Sequence, residues 1–203
     1  MKKILQQASF QTEHCQVLEH DVLYSGFLQV EKLKIRHQAF NQAESIEIQR
    51  ELIHRPHAAG ALLYNDQQQR FLLIEQFRAG AIRDEYSPWQ LEIIAGVLDG
   101  NESPESCIRR ECLEEAGCQV TQLQHIFTFY PSAGACSELF DLFVAQCEIP
   151  EVGQVFGMPD EGENILVHIF DYADLDSLLS SQRLRNAPVI MALQWLKMHI
   201  ATR

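Results

Sequence analysis

The stretch Gly96–Gly117, GVLDGNESPESCIRRECLEEAG, decides how this chain is read. It holds six carboxylates in 22 residues, and Glu111, Glu114 and Glu115 fall within five positions of one another. Ser103-Pro104 reads as a helix start, with Ser as N-cap and Pro at the first helical position. Gly117 suits the residue that stops the helix in a left-handed conformation. On a helix over Pro104–Ala116, Glu111 and Glu115 are four apart and share a face, and Glu114 lies beside them. Arg110, four before Glu114, can hold that carboxylate in a fixed direction. Ile108, Cys112 and Ala116 form an adjacent apolar strip for the core. Three carboxylates on one edge repel unless they take up protons or cations. Hard oxygen ligands suit Mg²⁺ or Mn²⁺, and such a site can bridge a metal to phosphate.

Strands flank this helix. Ala58–Tyr64 (AAGALLY) and Arg70–Phe77 (RFLLIEQF) read as a hairpin around the five-residue loop NDQQQ. Trp89–Ala95 (WQLEIIA) reads as one strand ending at Gly96. Strand-like runs follow at Gln124–Tyr130, Leu139–Cys147 and Asn164–Phe170. Asn186–Ile200 reads as an amphipathic helix capped by Asn186. Val22–Phe40 reads as one or two strands. The first fifty or so residues look like a small sheet without a core of its own, which needs a partner to bury a face. Strands on both sides of a central helix, with a closing helix, indicate mixed α/β layers.

The 203 residues suit one large domain or one domain with an appendage, and 46% apolar residues can build a sizeable core. The net charge of −12 argues against non-specific nucleic-acid binding. No apolar run approaches a membrane span, and the segment after Met1 is too short for a secretory signal, so the cytoplasm is the expected compartment. The spacings of the six cysteines fit no paired zinc pattern, and they read as reduced thiols used as small hydrophobes.

The order Gly96, Glu102, Arg110-Glu111, Glu114-Glu115, Gly117 resembles the Nudix box. Cys112 and Cys118 stand where the family pattern has aliphatic residues, a conservative departure. The resemblance covers roughly Val22 to Ile200 and is to the ADP-ribose pyrophosphatase group. LIEQFR (Leu73–Arg78), PWQLEIIAG (Pro88–Gly96), YPSAG (Tyr130–Gly134) and DEGENILVHIF (Asp160–Phe170) carry it. It implies an α/β/α sandwich with a mixed sheet over residues 57–203. An N-terminal β region, residues 1–56, would be exchanged in a homodimer and contribute to the substrate site. It also implies hydrolysis of a nucleoside diphosphate sugar, ADP-ribose to AMP and ribose 5-phosphate, with Mg²⁺ or Mn²⁺.

By the same resemblance, Glu111 and Glu115 are principal metal ligands, Glu114 supports them, and the carbonyl of Ala95 is a further ligand. Arg110 orients the glutamates, and Glu102 anchors the loop. Arg78 contacts the substrate's phosphates, Arg55 reaches the other subunit's site, and Phe27 stacks on adenine. Glu138 is a substrate-proximal acid. Glu161 is the expected general base, and Glu163 is the other candidate in the same loop. Two further readings are a pyrophosphatase for another sugar nucleotide such as GDP-mannose, and a module that senses ADP-ribose without cleaving it. Such sensors usually lack box carboxylates, and all are present here.

Overall fold

A computed structural model describes residues 8–40, 44–158, 160 and 162–203. By its internal contacts the chain divides into two units, Met1–Pro56 with Tyr130–Glu138, and His57–Phe129 with Leu139–Arg203.

The first unit contains β1 (Cys15–Ser25), β2 (Gln29–His37) and β3 (Ile46–His54), antiparallel and in that order. The sequence reading found strand character over Val22–Phe40 but not β3, because IEIQRELIH breaks the apolar alternation at Arg50. No residue of the three strands is buried. Val17, Val22, Leu23 and Tyr24 are all more than half exposed, and Phe27, in the β1–β2 turn, is fully exposed. The Tyr130–Glu138 segment joins this unit through β3: Ile53 N–H donates to Ala135 O (2.8 Å) and Ser137 N–H to Ile53 O (3.0 Å).

The second unit is built on an eight-stranded sheet containing β4 (Ala58–Asn65), β5 (Arg70–Phe77), β6 (Trp89–Glu92), β7 (Ile94–Val97), β8 (Gln122–Phe129), β9 (Phe140–Gln146), β10 (Val155–Phe156) and β11 (Ile165–Asp171). The sheet is mixed: β4 and β9 run parallel and its other pairs are antiparallel. The hairpin forms at the expected place with a loop one residue shorter, since Asn65 completes β4 and its side chain accepts from Gln67 and Gln68 N–H. The expected single strand Trp89–Ala95 is two. β6 pairs with the end of β5, and β7 pairs with the start of β4. β4 and β5 pair only over Leu63–Asn65 and Arg70–Leu72, then take different partners. A continuous strand-like run cannot signal a break that its partners impose.

Helix α1 (Pro104–Ala116) covers one face. Ile108, Cys112 and Ala116 are buried against Ala59, Ile74 and Phe143. Ser103 Oγ accepts Ser106 N–H at 3.2 Å, and Gly117 ends the helix at φ 63°. Helices α2 (Leu175–Leu179) and α3 (Ala187–Ala201) cover the other face, where Val189, Leu193 and Leu196 pack with Leu62, Leu73 and Leu142. The second unit is thus an α/β/α sandwich. Asp66 pins the far end of α3: it accepts Tyr172 Oη at 2.9 Å and pairs with His199 (3.2 Å) and Arg203 (2.8 Å). Contrary to expectation, Asn186 makes no side-chain cap on α3. The cysteines are all free thiols; Cys107, Cys112, Cys118 and Cys147 are buried, and burial pushes Cys107 up to about 12. Among the described residues no helix is long and apolar enough to cross a membrane.

Candidate active site

Arg110 binds three carboxylates at once. Its Nη1 donates to Glu111 (2.7 Å) and Glu114 (3.0 Å), and its Nε and Nη2 donate to Glu102 (3.2 and 3.0 Å). These hydrogen bonds, Glu102's foremost, raise its affinity for its proton further. Glu102 also accepts Asp99 N–H at 3.3 Å, which fixes the loop before α1. The acidic face is therefore partly neutralised from within the helix.

Glu115 does not lie on a surface edge. Its side chain is buried between α1 and β7, where it accepts Ala95 N–H at 3.1 Å. Burial, then the charge of Glu111, pushes its carboxyl up to about 8. Burial also raises Glu111, with Glu114 and Glu163 adding to the effect against Arg110's pull. Gly96 makes this packing possible, because a Cβ there would run into the Glu111 carboxylate.

Beside the acidic face lies a cleft of about 490 Å³, lined by Gln76, Phe77, Arg78, Trp89, Glu163 and Asn164. Arg78 donates to Glu92 from Nε (3.0 and 3.2 Å) and Nη2 (2.8 Å), and the charges of Glu115 and Glu163 also act on it. Glu163 accepts Met158 N–H at 3.3 Å, and its charge reaches both Glu111 and Glu115. The structure thus gathers Arg78, Ala95, Arg110, Glu111, Glu114, Glu115 and Glu163 in one region. Glu161 lies outside the described residues.

Within the first unit, Arg55 Nη1 pairs with Glu138 at 3.5 Å, and Glu138 is buried. Phe27 is fully exposed, and among the described residues nothing covers it.

The NUDIX domain family profile matches residues 54–199. The chain belongs to the Nudix family. It is 32% identical over 191 residues to the ADP-ribose pyrophosphatase of Escherichia coli (strain K12), covering 94% of this chain and 91% of that one. It is 30% identical over 195 residues to the ADP-ribose pyrophosphatase of Haemophilus influenzae, covering 95% and 90%. A GDP-mannose pyrophosphatase of Yersinia pestis is 37% identical over 160 residues, covering 78% and 80%. The fold is that of a crystal structure of an ADP compounds hydrolase, with a TM-score of 0.74 at 20% identity, covering 97% and 98%.

The carboxylates of this Nudix hydrolase fit a divalent cation. Glu115 is a buried carboxylate with one backbone donor, and burying such a charge is costly without a counter-charge. Glu111 rests in a recess that only glycine at 96 leaves open. Among the described residues no three acidic, histidine or cysteine side chains already stand together as a metal cage; Arg110 holds Glu111 and Glu114, and Ala95 N–H holds Glu115. Glu92, which pairs with Arg78, and Gln76 and Asn186, which donate to Glu92, were not among the expected site residues. The one available signal was a glutamate inside the apolar run LEII.

Proposed function

We propose that this Nudix hydrolase is an ADP-ribose pyrophosphatase that uses Mg²⁺, with Mn²⁺ as a substitute, and yields AMP and ribose 5-phosphate. The observation that carries the reading is the acidic face of α1, with Glu111 and Glu115 within reach of the charge of Glu163, which lines the cleft beside Arg78. The length of chain shared with the two ADP-ribose pyrophosphatases supports this substrate.

Glu111 and Glu115, with the Ala95 carbonyl and Glu114 in support, would hold the cation. Glu163, which lines the cleft and whose charge acts on both principal glutamates, is proposed as a further oxygen donor. Bound there, the cation would neutralise the diphosphate and polarise the phosphorus under attack. Arg78 binds a phosphate oxygen through its guanidinium. Glu161 takes a proton from the attacking water as the water oxygen bonds to one phosphorus; the bond from that phosphorus to the bridging oxygen breaks, and the bridging oxygen leaves with the second phosphate. Arg110 keeps Glu111 and Glu114 oriented throughout. Phe27, Arg55 and Glu138 are proposed substrate contacts from the N-terminal unit.

The chain works as a homodimer in this reading, with residues 1–56 as the β region exchanged with the partner. The support is a three-stranded sheet that buries none of its own strand residues. The net charge of −12 favours no nucleic-acid partner, and the cytoplasm is the proposed location. GDP-mannose is the second reading, supported by the Yersinia relative.

Incubation with ADP-ribose, GDP-mannose, NADH and diadenosine polyphosphates, each with and without Mg²⁺, tests the proposal. The expected result is Mg²⁺-dependent release of AMP, with the highest kcat/KM for ADP-ribose. Preference for GDP-mannose would transfer the assignment to the second reading. Binding of ADP-ribose without turnover would make the chain a sensor.

A further inference from the structure

We propose that Glu92, held from behind by Asn186 at the entrance to α3, is the positioning residue that aims Arg78 at the substrate. The proposal rests on the reading of Arg78 as a phosphate-binding residue. Arg78 follows the last residue of β5, where the strand gives way to a short turn, and its side chain is nearly half exposed. An arginine in that position has many rotamers to lose on binding. Glu92 removes that freedom in advance. It sits on β6, opposite Ile74 in the ladder, and is itself buried. It grips the guanidinium along the Nε–Nη2 edge, which sets the direction of the planar group and leaves the Nη1 end unused among the described residues.

Glu92 is fixed in turn by Gln76 Nε2 (3.5 Å) and Asn186 Nδ2 (3.0 Å). The second contact is made at a visible local cost. Asn186 occupies the residue before α3, where its side chain could cap the helix, and it makes no such bond. Its Oδ1 is buried and has no partner among the described residues. Turning the amide over would place that oxygen against the Glu92 carboxylate, so the orientation is set by chemistry. A helix cap and a satisfied carbonyl are both given up for one hydrogen bond to Glu92. A buried polar atom left in this way calls for a reason, and preorganising Arg78 supplies one. Both layers around the site contribute: the sheet through Gln76 and Glu92, and the closing helix through Asn186.

Two measurements test this. The first needs no turnover: solvent exchange of arginine Nε–H signals by ¹⁵N NMR on the whole protein, with Arg78 assigned by its loss in Arg78→Lys. The Arg78 signal should be protected in the unchanged protein and exchange faster in both Glu92→Gln and Asn186→Ala. An unprotected signal, or protection that survives both substitutions, overturns the clamp. If Glu92→Gln does not fold, Asn186→Ala alone decides. The second measurement is a double-mutant cycle on whichever sugar nucleotide is hydrolysed. Glu92→Gln should raise KM about tenfold or more, with kcat and the Mg²⁺ requirement within about twofold, as for loss of uniform binding. In an Arg78→Ala background the same substitution should add less than about twofold, because the two residues act as one unit. An equal KM effect in both backgrounds, or a fall in kcat at constant KM, refutes positioning through Arg78. If the unchanged protein hydrolyses none of the substrates, the functional reading fails, and the exchange data still decide the clamp.

Discussion

Replacing a carboxylate by its amide separates the tasks of the two loop glutamates. Glu163→Gln removes a proposed cation ligand whose charge reaches Glu111 and Glu115. It should raise the Mg²⁺ concentration needed for half-maximal rate. Glu161→Gln should instead lower kcat by about 10²–10⁴-fold, the usual worth of a general base, with the Mg²⁺ requirement and KM little changed. Steady-state kinetics over a Mg²⁺ series would distinguish the two, and exchanged phenotypes would exchange the assignments. Glu115 offers a test by titration. Burial and Glu111 hold its carboxyl at about 8, whereas in the unfolded chain it titrates near ~4.3. Above that ordinary value the unfolded state releases a proton that the folded state keeps. Stability is therefore greatest below it, and falls by up to about 1.4 kcal/mol per pH unit until the folded value is passed. In chelator, Tm should decline from pH 5.5 to 8, and added Mg²⁺ should raise Tm more at pH 8 than at pH 6. Glu115→Gln should flatten both trends; a wild-type decline that persists in this variant would place the cause elsewhere.

At the scale of elements, the seam between α1 and β7 is controlled by Gly96. In Gly96→Ala the new methyl meets the Glu111 carboxylate. The strand is held by β4, so the glutamate must yield. Tm should change little while kcat/KM falls by about 10²-fold, the cost of a displacement near 1 Å in a reacting group. Retained activity would show that Glu111 can do its work from another rotamer. The elements were unequally legible in the sequence. Helix α1 announced itself through Ser103-Pro104, Gly117 and the four-residue spacing of its glutamates, all properties of nearest neighbours along the chain. The division of Trp89–Ala95 into β6 and β7 was not legible, because it arises where β4 and β5 part company. Glu92 and Asn186 were missed for a related reason: 94 residues separate them, and no local pattern joins them. The burial of Glu115 was likewise hidden, since a helix period gives a face but not what covers it.

For the whole molecule, the exposed apolar residues of the N-terminal sheet predict association. Light scattering should give twice 23.3 kDa. Val22→Asp combined with Tyr24→Asp, on side chains more than half exposed in the single chain, should yield monomers with depressed activity. A monomer in the unchanged protein would dismiss the dimer. One further property follows from Arg110. Its guanidinium already stands among Glu102, Glu111 and Glu114, so the acidic helix carries its own resident counter-ion. That arginine relieves the repulsion among Glu102, Glu111 and Glu114 without a divalent ion, and leaves the buried Glu115 as the carboxylate through which cation supply would act on stability. If the proposed Mg²⁺ dependence holds, folded protein in chelator should be inactive yet recover its full rate on adding Mg²⁺, without a refolding lag.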